Sequence, residues 1–254
     1  MIVISPLKKI TQLLVIIFIY LFFNIVYSYF NISFLMSRIL SFISLIFIIR
    51  ELNYYRAIIV RNHIKEVLLF TIETLNKNKI SYWLDFGTLL GYYRDKSIIL
   101  YDTDADITID ITYGALALIT LKEACRNNTN FSFEEKDNGN GIKWFRIYNS
   151  ADNIFSRKRH VDCYCVHKIE NNILLLSSKK ECDHIPCNLV YPIQKSIFYE
   201  KEVYVTNNVN STLLYRYGSD FMKPIHMYKG RASGKYQLVF KRILNIVGFI
   251  LNKK

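Results

Sequence analysis

The chain has 254 residues, a formal net charge of +12 and 51% hydrophobic side chains. That apolar content excludes a mostly disordered protein, and the length allows one or two domains with a real core. The charge alone would suit nucleic acid. No nucleic-acid motif occurs, however, and the basic residues are scattered, so an anionic lipid or a phosphorylated substrate accounts for the charge better.

No charged residue falls between Ile10 and Ser37, and about 20 apolar residues suffice to cross a bilayer. Residues 1–50 are therefore expected to be an uncleaved membrane anchor and stem, with a transmembrane helix over Ile10–Phe30. This run is longer and more aromatic than the apolar region of a signal peptide. Lys8 and Lys9 ahead of it predict an N-in protein whose remainder is lumenal or extracytoplasmic. A second apolar run, Ile39–Ile49, is short for a span and reads as a stem or interfacial helix. If it crosses instead, the remainder faces the cytoplasm, the side that Arg38, Arg50, Arg56 and Arg61 also favour.

Downstream, Tyr54–Lys79 places Ile58, Ile64, Leu68, Ile72 and Leu75 close to a helical stripe with no Pro or Gly to break it. Ile80–Leu84 reads as a buried strand running into Asp85, Phe86, Gly87 and Thr88, where a short helix begins and leaves backbone N–H groups free for a phosphate. Ala105–Ile111 alternates Asp106, Thr108 and Asp110 with Ile107, Ile109 and Ile111, the period of a strand with one wet and one buried face. Tyr113–Arg126 is a helix, and Phe131–Phe133, Ile142–Tyr148 and His160–Val166 are successive strands. Val209–Tyr217 is a short helix ended by Gly218, and Pro224 marks a loop. Trp83 and Trp144 lie in strand-like runs and are expected in the core. The pattern is an α+β domain over residues 51–234. Residues 235–254 form a basic amphipathic helix, suited equally to packing on the core and to lying on an anionic membrane.

The chemistry concentrates at Asp102, Asp104 and Asp106, spaced i, i+2, i+4 and so expected on one face of a strand. Three carboxylates this close repel one another unless a divalent cation neutralises them. An EF-hand fails, because the required Gly would fall on Ile107 and the closing Glu on Tyr113. The Asp-x-Asp of metal-dependent glycosyltransferases stays open. Five cysteines (Cys125, Cys163, Cys165, Cys182 and Cys187) include no CxxC pair and could pair or stay as buried thiols. His160, His167 and His184 flank them without a common zinc spacing.

The run WLDFGTLLGYYRDKSIILYDTDAD, residues 83–106, resembles the signature of the LicD family, which includes phosphocholine transferases and fukutin-related ribitol-phosphate transferases. Phe86-Gly87-Thr88 and Asp104-Ala105-Asp106-Ile107 look like the two motifs of the nucleotidyltransferase fold. His160-Val161-Asp162-Cys163-Tyr164 resembles the later strand that brings a third carboxylate. The similarity covers about residues 65–226, with Leu100 standing where the family usually has Pro. It implies a mixed sheet with flanking helices. It also implies Asp104, Asp106 and Asp162 as ligands of Mg²⁺ or Mn²⁺, and Asp102 as a fourth catalytic carboxylate, in a second shell or as general base. Gly87 and Thr88 would meet the donor phosphates with Arg94 as cationic partner, unless Arg94 pairs with Asp85, also placed on the substrate-binding side. The activity implied is transfer of an alcohol phosphate from a CDP-activated donor to a glycan acceptor. Neutralising donor phosphates with carboxylate-held metal is what such a transfer requires. The alternatives are a nucleotide-sugar glycosyltransferase and an inactive membrane-associated binding protein. Arg157-Lys158-Arg159, just before Asp162, is a solvated loop or a polyanion contact. Asn31, Asn127 and Asn210 lie in glycosylation sequons.

Overall fold

The computed structural model describes residues 18, 21, 25, 34–137, 143–150, 159–169, 173–176 and 184–224. The chain divides into two compact units, Met1–Ile59 and Val60–Lys254. The expected span Ile10–Phe30 lies outside the described residues except for Phe18, Leu21 and Ile25, which are helical and exposed. The 235–254 helix, Arg157 and Lys158 also lie outside them. No helix among the described residues is long and apolar enough to cross a membrane. The second apolar run, expected as a separate short helix, falls within one helix, α1 (Phe34–Lys77). With no Gly or Pro across Phe34–Lys77, nothing in the sequence interrupts it. It stops where Lys79 turns left-handed (φ 54) and Ile80 N–H donates to Leu75 C=O at 3.0 Å.

The second unit carries a mixed sheet. Its strands are β1 (Tyr82–Leu84), β2 (Asp104–Asp110), β3 (Phe131–Asp137), β4 (Lys143–Asn149), β5 (His160–Ile169), β6 (Ile173–Leu176) and β7 (His184–Pro186), and its main path runs β1-β2-β5-β4-β3. β2 and β5 are parallel; the other pairs are antiparallel. Between β1 and β2 lie α2 (Phe86–Leu90) and a π-helical turn, Gly91–Asp95. Helix α3 (Ile111–Asn127) follows β2, α4 (Cys187–Val190) follows β7, and α5 (Val209–Tyr217) ends at Gly218 (φ 80) as expected.

Strand alternation sorts the residues between two faces. Ala105, Ile107 and Ile109 of β2, Val161, Cys163 and Cys165 of β5, and Phe145 and Ile147 of β4 join one buried cluster. The α1 stripe Ile64, Leu68, Ile72 and Leu75 and the α3 residues Ala117, Leu121 and Cys125 belong to it too. Intervening positions face the other way. There Trp83 forms a second cluster with Val166, Ile185 and Val190, bordered by Phe86, Tyr164 and Tyr191. No disulfide joins Cys125, Cys163, Cys165 and Cys187, the described cysteines; Cys182 is outside them. A hairpin that the sequence does not announce, β8 (Gln194–Phe198) with β9 (Lys201–Val205), turns through Tyr199 and Glu200, both left-handed (φ 52 and 65). Tyr199 Oη accepts from Ile98 N–H at 2.7 Å, which ties the turn to the loop ahead of β2.

Gly91 joins α2 to the π turn at a close backbone approach. A Cβ there would lie 2.5 Å from the Ser97 carbonyl oxygen and 3.2 Å from the Ile99 nitrogen, neither of which can swing aside. Gly91→Ala should therefore cost about 1–3 kcal/mol in urea unfolding despite the better helix propensity of Ala; equal or greater stability would show that this loop yields freely.

Candidate active site

The site is built on the face of β2 and β5 opposite the main core. Parallel register sets Asp104 beside His160 and Asp106 beside Asp162, so a D-x-D on one strand meets an H-x-D on the next. Asp102, expected on the strand, precedes it. Its N–H donates to Ile99 C=O at 3.0 Å, and its carboxylate accepts from Thr103 N–H at 3.0 Å. It joins the group from a turn instead, and its Oδ2 lies 2.7 Å from where a Cβ on Gly87 would be. Gly87 thus leaves the room that Asp102 occupies, and Asp106 Oδ2 lies 3.8 Å from the same point.

The crowding shows in the electrostatics. Burial, followed by the neighbouring charge of Asp104, pushes Asp102 up to about 7. Burial also raises Asp106 well above the ordinary carboxylate range, and Asp104, Asp102, Asp162 and Asp85 add to the effect. Asp162 behaves oppositely. Burial would raise it, but the His160 imidazole and the Arg146 guanidinium beside it together outweigh burial and hold it at about 2. Arg146 donates from Nε and Nη2 to the two Asp162 oxygens at 2.7 and 2.9 Å, and Tyr164 Oη donates to Oδ2 at 3.3 Å. His160 Nε2 stands 3.6 Å from Asp104 Oδ2 and 3.5 Å from Asp162 Oδ2. Ligand atoms of Asp104, His160 and Asp162 all lie within 4.8 Å of one another. Such a donor set, crowded with carboxylates that repel one another, fits a divalent cation.

Three expected roles are corrected. Asp85 is fully buried and cannot meet a substrate; its Oδ2 accepts from Trp83 Nε1 (3.2 Å), Thr108 Oγ1 (2.8 Å) and Arg216 Nη2 (2.8 Å), and its Oδ1 caps α2 at Phe86 N–H (2.8 Å). Thr88, expected to offer its hydroxyl to phosphate, is buried, and Oγ1 accepts from Asp106 N–H at 2.7 Å. Arg94 does not pair with Asp85, the structural partner expected for it. Its Nε and Nη2 fork onto Asp95 at 2.8 and 2.9 Å, and Nη1 reaches Phe221 C=O at 3.4 Å. Gly87, half-buried, is the one of these four placed at the carboxylates.

Arg146, His160, Tyr164 and Arg216 escaped the sequence reading as site residues. Arg216 is nearly buried, bonds Asp85 and lies 4.0 Å over the Phe86 ring, which Tyr164 meets edge-on. These contacts hold Phe86 in a left-handed conformation (φ 45), the turn that delivers Gly87 to the carboxylates. Asp110, the outermost carboxylate of β2, is structural: it caps α3 at Thr112 N–H (2.9 Å) and accepts from Tyr191 Oη.

Residues 79–208 match the family described as LicD/FKTN/FKRP, nucleotidyltransferase domain. The chain belongs to this family. It is 30% identical over 115 residues to the human protein named ribitol-5-phosphate transferase FKTN, covering 41% of this chain and 25% of that one. It is 33% identical over 142 residues to the uncharacterised protein RP689 of Rickettsia prowazekii, covering 53% of this chain and 46% of that one. The chain thus spans between a quarter and a half of the length of these relatives. A solved terminal uridylyl transferase 4 from Trypanosoma brucei with bound GTP aligns at a TM-score of 0.26 and 11% identity, over 40% of this chain and 30% of that one.

The buried Asp85–Arg216 pair gives a direct test of this scaffold. Arg216→Met strands a carboxylate in the core and should cost about 3–5 kcal/mol in chemical unfolding. Pairing it with Asp85→Asn should recover part of that loss, whereas strictly additive effects would show that the two side chains are not coupled.

Proposed function

We propose that the protein is a metal-dependent transferase that moves an alcohol phosphate, of the phosphocholine or ribitol phosphate type, from a CDP-activated donor to a glycan acceptor, releasing CMP. The observation that carries this reading is the meeting of Asp104 and Asp106 with Asp162 across β2 and β5, under the Gly87 turn. Membership of the family and the name of the human relative point the same way.

A divalent ion, Mg²⁺ or Mn²⁺, supplies neutralisation of the donor's phosphate charge at such a centre. Asp104, Asp106 and Asp162 are the carboxylates to hold it. Arg146 fixes Asp162 by a two-pronged bond, so that carboxylate needs no reordering before it acts. Asp102 sits against Gly87 outside the Asp104–His160–Asp162 trio and is the group placed to accept the proton of an attacking hydroxyl. Gly87, lacking a side chain, lets the Asp102 carboxylate pack against the turn that opens α2. In this reading the expected anchor over Ile10–Phe30, preceded by Lys8 and Lys9, keeps the domain at a membrane, on its lumenal or extracytoplasmic side.

The test is a donor screen with Mg²⁺ or Mn²⁺, covering CDP-choline, CDP-ribitol and a set of nucleotide sugars and reading released nucleotide. CMP should form from a CDP-alcohol, and Asp104→Asn should slow it about a hundredfold or more, as expected for losing several kcal/mol of charge stabilisation. Unchanged turnover in folded Asp104→Asn would refute the proposal, and turnover of a nucleotide sugar alone would move the protein to the glycosyltransferases.

A further inference from the structure

We infer that His160 is a direct ligand of the divalent ion, and that its imidazole biases the centre toward a first-row transition ion over Mg²⁺. The inference rests on the metal-centre reading above and concerns which atoms make that centre.

Parallel pairing places His160 against Asp104 on the carboxylate-bearing face. Its Nε2 lies almost equidistant from Asp104 Oδ2 (3.6 Å) and Asp162 Oδ2 (3.5 Å), and its side chain is only 12% exposed. Those separations exceed the roughly 2.7–3.2 Å of a good N–H···O bond. They resemble the spacing of ligands around a shared ion: with metal–ligand distances of about 2.1 Å, adjacent octahedral ligands stand about 3 Å apart and tetrahedral ones about 3.4 Å. With Asp162 held by Arg146, a modest inward movement of the Asp104 and His160 side chains would close such a shell.

The carboxylates favour the same conclusion. Asp106, the ligand expected from the sequence, is absent from the trio whose ligand atoms converge within 4.8 Å, and its Oδ2 lies beside Gly87 and Asp102. Asp162 is a ligand already shared, since Arg146 takes both of its oxygens and Tyr164 takes Oδ2 as well. Asp104 therefore contributes the freer charge and His160 an imidazole nitrogen. Mg²⁺ is a hard ion that prefers oxygen and gives up water reluctantly, whereas imidazole nitrogen is a ligand of transition ions.

The rival role for His160 is a counter-charge that merely screens Asp104 from Asp162. Pulsed electron paramagnetic resonance on the full chain loaded with Mn²⁺ separates the two, because only a bound nitrogen produces strong ¹⁴N modulation of the Mn²⁺ echo. The inference predicts this modulation in the native protein and its loss in Mn²⁺-loaded His160→Gln. By calorimetry the same substitution should weaken Mn²⁺ binding about tenfold or more, in the range for ligand and support changes at metal sites, while Mg²⁺ binding changes little. Mn²⁺ bound without ¹⁴N modulation, or modulation that survives His160→Gln, would overturn the inference and leave the metal centre standing. Failure of the native protein to bind either ion would overturn both. The native spectrum alone decides the case if His160→Gln does not fold.

Discussion

The parallel, in-register pairing of β2 with β5 is the constraint on which the rest of the site depends. Because side chains alternate with a period of two, this register aligns Asp104 with His160 and Asp106 with Asp162 on one face, while Ala105, Ile107, Val161 and Cys163 fill the core on the other. A slip of one residue would exchange the two sets, burying carboxylates in an apolar cluster. Parallel neighbours also require a long crossover. Here it consists of α3, β3 and β4, and β4 returns antiparallel to β5 with Arg146 directly opposite Asp162. The connection that makes the pairing possible also delivers the cation that keeps one of its carboxylates ionised.

A second buried charge holds the rim of the site. Asp85 ends β1, caps α2, bonds Thr108 on β2 and pairs with Arg216 on α5, so four elements converge on one carboxylate. Its surroundings are already complete, and this explains why it serves the scaffold rather than the chemistry. Asp102 and Asp106 are in the reverse condition. They are buried and crowded by like charge with too few donors to compensate, and the fold tolerates the cost where a cation can relieve it.

What could be read from the sequence follows from range of interaction. The α1 stripe, the alternation of β2, helix α3 and the Gly218 stop depend on neighbours a few residues away, and all appear where periodicity places them. The two-residue spacing places Asp102 on the strand because it continues smoothly through Thr103, yet the chain turns there and the carboxylate arrives from a loop. The Tyr199-Glu200 hairpin lacks the Asn-Gly or Asp-Gly signal that usually marks such a turn. Arg146, His160 and Arg216 take their roles from partners on other elements, 16, 56 and 131 residues away for Arg146–Asp162, Asp104–His160 and Asp85–Arg216. Nothing local distinguishes them from other basic residues in a chain of net charge +12. The partners that Thr88 and Arg94 take within the protein, Asp106 N–H and Asp95, are also not marked by the signature's spacing.

If these carboxylates stay crowded until a divalent ion binds, thermal melting against pH, with chelator and with Mn²⁺, will register it. Asp102 holds its proton to about pH 7 when folded but only to the ordinary 3.8 when unfolded, so in chelator the folded state binds more protons and loses stability as pH rises from about 4 to 7. Asp162, held at about 2, acts below that window: its contribution is complete above 3.8 and is lost as the pH falls toward 2. The melting temperature in chelator should therefore decline between pH 4 and 7. Saturating Mn²⁺ should remove that decline and raise the curve most at the alkaline end, and Asp104→Asn should abolish the metal effect. Superimposable curves with chelator and with Mn²⁺ would show that no divalent ion relieves these carboxylates.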